Sequence, residues 1–491
     1  MAGVDPQLAA DRSDLTVAGG GIYAVRMQPE AIIDSGRARR AAVGLLVFAA
    51  TLPLQWQEVT GTPVGAIRYF HLGAVAMVLL ARPDWVVLRQ LRGVASPAVF
   101  ALCVMTAIGT ITELMYGEFS GQSLQHLVYG IAGLFVAGAV MTAMAHPAGR
   151  ALLLWTGPVA TSSFIVVFTI AGYSLGLDPI GAASQSLLQG NPDQMSATFK
   201  AVFATTSGLE EARSNTRHEI FAALLATLYV SWATARSQRL THLILVPTTV
   251  VVAALVAVSL SRSIWLAAGL VVLAAGLRVV IRQRLNPITA MLGLALVCVS
   301  PFVASDLYDL VEERIFENTD SYETRLEAFD ITGDELISRL LRGGASEDAG
   351  GNLTSTHNMI ADTAFRSGIL AAFAAIVLVL VFFVHARRVL RRFLNTGSVH
   401  ELMIFGAAAL VLVRAFTIGG GLLHQAEWFA FGLVIAMELR HRTGADKADA
   451  ERSTADGTAA IRTDADRTYA DRADAGRPAA ASDAAQRRSG A

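Results

Sequence analysis

The stretch "SGILAAFAAIVLVLVFFVHARRVLRR", residues 367–392, decides what kind of protein this is. It is apolar from Ile369 to Val384 and then carries four arginines, Arg387, Arg388, Arg391 and Arg392. A hydrocarbon core of about 30 Å is crossed by roughly 20 apolar residues in helical form. Basic residues in short connections hold their end of such a span on the cytoplasmic side. The same pattern recurs along the 491 residues, which are 53% hydrophobic and only 16% charged, with a mean hydropathy of +0.49. Those values lie outside the range of soluble domains, so the expected fold class is an all-α integral membrane protein.

About twelve spans are expected, near residues 41–54, 64–81, 94–112, 124–145, 151–175, 218–235, 240–260, 264–281, 287–304, 367–385, 399–417 and 425–440. Arginines mark every second connection: Arg37, Arg39 and Arg40 before the first span, Arg82, Arg89 and Arg92 after the second, and Arg150 after the fourth. Arg236 and Arg239 then follow the sixth, Arg278, Arg282 and Arg284 the eighth, the four arginines above the tenth, and Arg440 and Arg442 the twelfth. With these held inside, both termini are cytoplasmic. The two long connections, 176–217 and 305–366, then face outward, as does the short turn "SLSRS" at 259–263.

The expected organisation is a cytoplasmic segment over 1–40, nine spans over 41–304, an extracytoplasmic loop over 305–366, three spans over 367–440, and a tail over 441–491. Pieces of the outer loop such as "DLYDLVEERI" space apolar residues three or four apart, as amphipathic helices do. The tail is Ala-, Asp- and Arg-rich with few large apolar residues, so it reads as disordered. The first forty residues are polar and contain no apolar core with a small-residue cleavage site, so no removable signal peptide is expected there.

A net charge of -1 and the lack of a dense basic tract argue against nucleic acid as a partner. Cys103 and Cys298 fall in apolar runs and are expected to be small packed side chains. No carboxylate and histidine spacing points to a metal, and no cofactor is expected.

The ionisable residues that deserve a role lie on the outer side. Arg262 sits at the tip of the hairpin between spans seven and eight, flanked by Ser261 and Ser263. Snorkelling to headgroups accounts for such an arginine, but outer turns here otherwise avoid arginine, and the hydroxyls beside it favour anion binding. Arg414 lies near the outer end of span eleven, and Arg68 with His71 in the outer half of span two. Several cations at one depth suit an anionic lipid headgroup such as a diphosphate. Arg325 stands in the outer loop among acids that are a solvated face. His357 and Asn358 open span ten; Asn358 reads first as a helix cap, and His357 is able to take a proton near neutrality.

Taken in order, these segments resemble the O-antigen ligase and polymerase-like family of bacterial membrane glycosyltransferases. "SRSIWLAAGLVVL" at 261–273 resembles the family's Ser-Arg-Gly-type hairpin, "ETRLEAF" at 323–329 its Arg-x-x-x-Trp segment, and "THNMIADTAFRSGILAAF" at 356–373 its His-Asn segment. "LLRGGASEDAG" at 340–350 is similar to its Gly-x-Gly turn. Ser263 and Phe329 depart from the family's usual glycine and tryptophan. The resemblance implies a metal-independent, inverting transferase in the bacterial cytoplasmic membrane. Its donor would be a polyprenyl-diphosphate-linked glycan and its acceptor a hydroxyl on a glycan or lipid-linked glycan. It implies His357, Arg325 and Arg262 as catalytic residues, with Arg414 beside the arginines; Arg414, Arg68 and Asn358 are the expected substrate-binding residues. Two other classes fit twelve spans: a transporter or lipid-linked glycan flippase, for which the unequal halves and surface-level arginines are unfavourable, and a non-catalytic scaffold of an envelope assembly.

Overall fold

A computed structural model describes residues 34–54, 58–62, 65–81, 96–115, 121–189, 193–207, 210–235, 239–259, 261–283, 358–417 and 426–438. These residues are almost wholly helical. Helix α1 is Ser35–Thr51, α2 Tyr69–Ala81, α3 Ser96–Met115, α4 Gly121–Ala145, α5 Pro147–Leu153 and α6 Thr156–Ser174. They are followed by α7 Pro179–Gln189, α8 Asp193–Ser207, α9 Glu210–Thr234, α10 Arg239–Val258 and α11 Arg262–Gln283. The last group is α12 Met359–Ser367, α13 Ile369–Thr396, α14 Val399–Thr417 and α15, residues 426–438. The expected ninth span, the outer loop but for its final residues, and the tail lie outside the described residues.

Four helical segments are long and apolar enough to cross a membrane: Pro147–Ser174, Ser263–Arg282, Ile369–Thr396 and Val399–Thr417. Their outward faces carry large apolar side chains that a soluble protein would bury, including Leu370, Phe373 and Leu380 on α13 and Leu266 on α11. In a bilayer that surface meets acyl chains at no hydrophobic cost. The chain is therefore a helical membrane protein.

The centre of the bundle is α9, α14 and α15. On α9 every residue from Glu219 to Val230 is buried, and α15 is buried throughout. The contrast with the periphery is large: 67% of the apolar window of α14 is buried, against 17% for α11. Because lipid gives helices no hydrophobic reason to associate, close packing at small residues supplies the attraction. Gly157 on α6 is one such point. A Cβ there would stand 3.0 Å from both Leu228 Cα and Ser231 Oγ, and the Gly157 amide donates to Ser231 Oγ at 2.7 Å. Thr156 adds a hydroxyl bond to the Thr227 carbonyl at 3.2 Å, so α6 and α9 are joined by both packing and hydrogen bonds.

Three features differ from the pattern read off the sequence. The expected start of span two is instead the end of an antiparallel hairpin, β1 Glu58–Thr62 paired with β2 Gly65–Arg68. The β-branched and glycine-rich "EVTGTPVGAIR" favours that turn over helix, and α2 begins only at Tyr69. The connection 176–217 is not an open loop: it holds α7, α8 and the polar first turns of α9. Phe199 and Phe203 of α8 are buried against Phe168 of α6, with ring centroids 5.0 Å and 5.9 Å away. Cys103 is exposed on α3 and not packed.

Two caps are written in the local sequence. At the start of α1, Asp34 Oδ1 accepts the Arg37 amide at 2.8 Å, and that bond holds the exposed Asp34 carboxyl below its ordinary range. At α12, Asn358 Oδ1 accepts the amides of Ile360 at 2.9 Å and Ala361 at 3.2 Å. Gly368 then separates α12 from α13 with φ 81° and ψ 177°, a backbone region essentially restricted to glycine.

Candidate polar site at one end of the bundle

Arg414 is the organising residue. It lies three residues before the end of α14, and its side chain is fully buried. Its Nε donates to Glu427 at the start of α15, and its Nη2 donates to Glu219 in the first half of α9. Nη1 reaches the His218 carbonyl at 3.4 Å. The planar guanidinium suits this arrangement, since its donors diverge in one plane toward separate acceptors. A charge buried this deeply requires such partners, and three helices are thereby fixed at one end.

The network continues through His218. Its Nδ1 is hydrogen-bonded to Ser261 Oγ, the residue immediately before Arg262 at the start of α11. Ser261 Oγ is also 3.4 Å from Ser263 Oγ, and its amide donates to Ser259 Oγ at 3.3 Å. Beneath the turn, the Ser259 hydroxyl and the Trp265 indole both donate to the Val256 carbonyl, each at 2.7 Å. The hairpin tip is therefore built by hydrogen bonds on both sides of Arg262 and tied to the Arg414 cluster by one histidine.

The sequence-predicted residues distribute as follows. Arg262 is the first residue of α11, and one residue, Ser261, links it to the network around Arg414. Asn358 caps α12, which leads through Gly368 into α13 at the end of the bundle where α14 finishes. Arg414 does not present an open fork, because Glu219 and Glu427 occupy its Nη2 and Nε. Arg68 is the last residue of β2, and its amide donates to His71 Nδ1 at 3.0 Å, so this pair organises the entry to α2. His357 and Arg325 lie outside the described residues.

His218, Glu219 and Glu427 were absent from the sequence reading. Their signal was faint but present: "RHEI" and "QAEW" each place a glutamate at the mouth of an apolar run, where an unpaired carboxylate is costly. What no local pattern supplies is their pairing with Arg414, which is 195 residues from Glu219.

The opposite end carries a second ionic cluster. Arg392 of α13 reaches Glu438 of α15 at 3.3 Å and Glu401 of α14 at 3.7 Å. Arg388 reaches Glu438 at 3.4 Å. Among the described residues no group of three His, Cys, Asp or Glu is arranged to hold a metal ion. No protein-family model matches this chain, and no curated protein matches it.

Proposed function

We propose that this protein is a metal-independent, inverting glycosyltransferase of the bacterial cytoplasmic membrane, an O-antigen ligase or polysaccharide polymerase. In this reading about twelve spans cross the membrane with both termini cytoplasmic, and the Arg414 end of the bundle faces outward with the loop over 305–366. The observation that carries it is the hydrogen-bonded path from Arg414 through His218 to Ser261. It supports a fixed hairpin tip bearing Arg262, at the end of the bundle to which Asn358 and its neighbour His357 lead.

The donor is a glycan on a polyprenyl diphosphate, because no nucleotide sugar pool exists outside the cell and the energy must already reside in the glycosyl bond. The acceptor oxygen attacks the anomeric carbon, and the bond from that carbon to the diphosphate oxygen breaks. His357 takes the proton from the acceptor hydroxyl. Arg262 and Arg325 hold the charge gathering on the departing diphosphate. Arg414, whose fork is filled by two glutamates, acts at one remove by holding the tip. Asn358 fixes the start of α12 and with it the approach of His357, and Arg68 borders the donor site.

The test is transfer by purified protein in detergent, with chelator present and donor drawn from the source organism's lipid extract. Product formation by wild type that His357→Ala abolishes supports the reading. Equal product from both removes His357 from the mechanism.

A second reading has one observation in its favour. Buried ion pairs inside a helical bundle often mark a transport path, and Glu219, Arg414 and Glu427 are such a group. Net movement of labelled lipid-linked glycan across proteoliposomes, without bond formation, would establish it.

A further inference from the structure

Helix α13 has 28 residues, about 42 Å of helix at 1.5 Å per residue, some 12 Å more than a hydrocarbon core. Its excess lies at the arginine end. The face it turns away from the bundle is a continuous apolar stripe, with Leu370, Phe373, Leu380 and Phe383 all more than half exposed. At about 100° per residue, Arg387 falls on the line of Leu380, and Arg391 lies one turn beyond it. Both are exposed. From Ile369 to Arg387 is roughly 27 Å along the axis and to Arg391 roughly 33 Å, which brackets the edge of a hydrocarbon core about 30 Å thick, from where an arginine side chain extends to the phosphates just beyond.

The neighbouring arginines of the same helix make the contrast. Arg392 turns inward onto Glu401 and Glu438, and Arg388 shares Glu438. That pairing accounts for their presence. Among the described residues, no acid pairs with Arg387 or Arg391. At this same end Arg278 of α11 donates to the Asn395 carbonyl at 3.1 Å, so another cation of the next helix is tied to the last turn of α13.

We propose that the outer stripe of α13 and the Arg387/Arg391 pair form a binding site for an anionic phospholipid, its acyl chains along Phe373 to Phe383 and its phosphate held by the two guanidiniums. Arginines one helical turn apart present two planar forks to one phosphate. Both parts of the ligand are required: the apolar stripe excludes a soluble anion as the natural occupant, and the paired charge selects an anionic headgroup over a zwitterionic one. The inference rests on the membrane fold alone and is independent of glycan transfer. In the proposed orientation the site lies in the cytoplasmic leaflet.

Native mass spectrometry of the full chain, released from micelles holding equimolar phosphatidylglycerol and phosphatidylcholine, tests it. A cation near the membrane surface favours an anionic lipid by about fivefold, so the pair should give roughly a 25-fold preference for retained phosphatidylglycerol. Arg387→Gln with Arg391→Gln should bring that preference near unity, and the two Arg→Lys changes should keep most of it. Each single Gln variant should lose about fivefold, which secures the test if the double variant fails to fold. A large excess of glycerol phosphate should displace nothing; displacement would make this a soluble-phosphate site and overturn the proposal. So would no preference in the wild type, or an undiminished preference in a Gln pair that unfolds at the wild-type midpoint.

Discussion

Replacing Arg414 with methionine, which keeps an unbranched apolar stem without the guanidinium or its charge, should be among the most damaging single changes in the protein. The side chain is fully buried and donates to carboxylates on two other helices. Hydrogen bonds to charged groups contribute about 1.5–3 kcal/mol each, so two lost bonds amount to roughly 3–6 kcal/mol. Breaking a buried pair by removing one partner typically costs about 3–5 kcal/mol. The two routes agree on about 4 kcal/mol, close to a thousandfold in the unfolding equilibrium. Unfolding of purified protein in mixed micelles, followed by far-UV circular dichroism against rising denaturing detergent, measures it. The compensated variant Arg414→Met with Glu219→Gln and Glu427→Gln removes the stranded charges and should recover more than half of the loss. Arg414→Lys should fall between, since one ammonium cannot span both acceptors in the plane that the guanidinium fills. A loss below about 1 kcal/mol for Arg414→Met, or a triple variant no more stable than the single, would refute the reasoning, because the carboxylates would then have water or protons in place of the arginine.

Other perturbations follow from the same geometry. Gly368→Ala forces a Cβ into a glycine-restricted backbone region and should cost about 1–3 kcal/mol in the same unfolding experiment. Asn358→Ala removes the acceptor for two amides at the start of α12 and should cost about 1 kcal/mol, whereas Asn358→Asp should be nearly neutral. Gly157→Val drives a side chain into α9 at a 3.0 Å approach and should lower stability by about 1–3 kcal/mol; an unchanged midpoint would mean that α6 and α9 separate without cost.

The helices were legible where hydropathy alone decides. The runs read at 240–260, 264–281 and 399–417 correspond to α10, α11 and α14 within a few residues, because an apolar stretch of that length has no other use in a membrane. Helix α13 runs to Thr396, eleven residues past the end read for its span, since its arginines mark where hydropathy falls and not where helix stops; Gly397, with φ 71°, ends it. Hairpin β1–β2 was hidden because the apolar "GAI" of its second strand runs, across a single arginine, into the apolar helix that follows. The docking of α8 was hidden too: "DQMSATFKAVFATTS" is polar overall, and only the four-residue spacing of Phe199 and Phe203 marks its buried face. In the candidate site, Arg262 and Arg414 stood out because charge inside an apolar run is conspicuous. Their connection was not readable, since it passes through a histidine at the polar edge of α9 and through hydroxyls of Ser259 and Ser261 of a kind common in turns.

Under the proposed function, the polar end around Arg414 breaks a glycosyl diphosphate bond and makes a glycosidic one. The fate of that bond is the measurement to make, using donor labelled in both the sugar and the lipid diphosphate, with the anomeric configuration of the product read by NMR. Inverting transfer predicts one free polyprenyl diphosphate for each new linkage, and an anomeric configuration opposite to the donor's. Labelled donor recovered with its diphosphate bond intact on the far side of the vesicle, or a product with retained configuration, would contradict it.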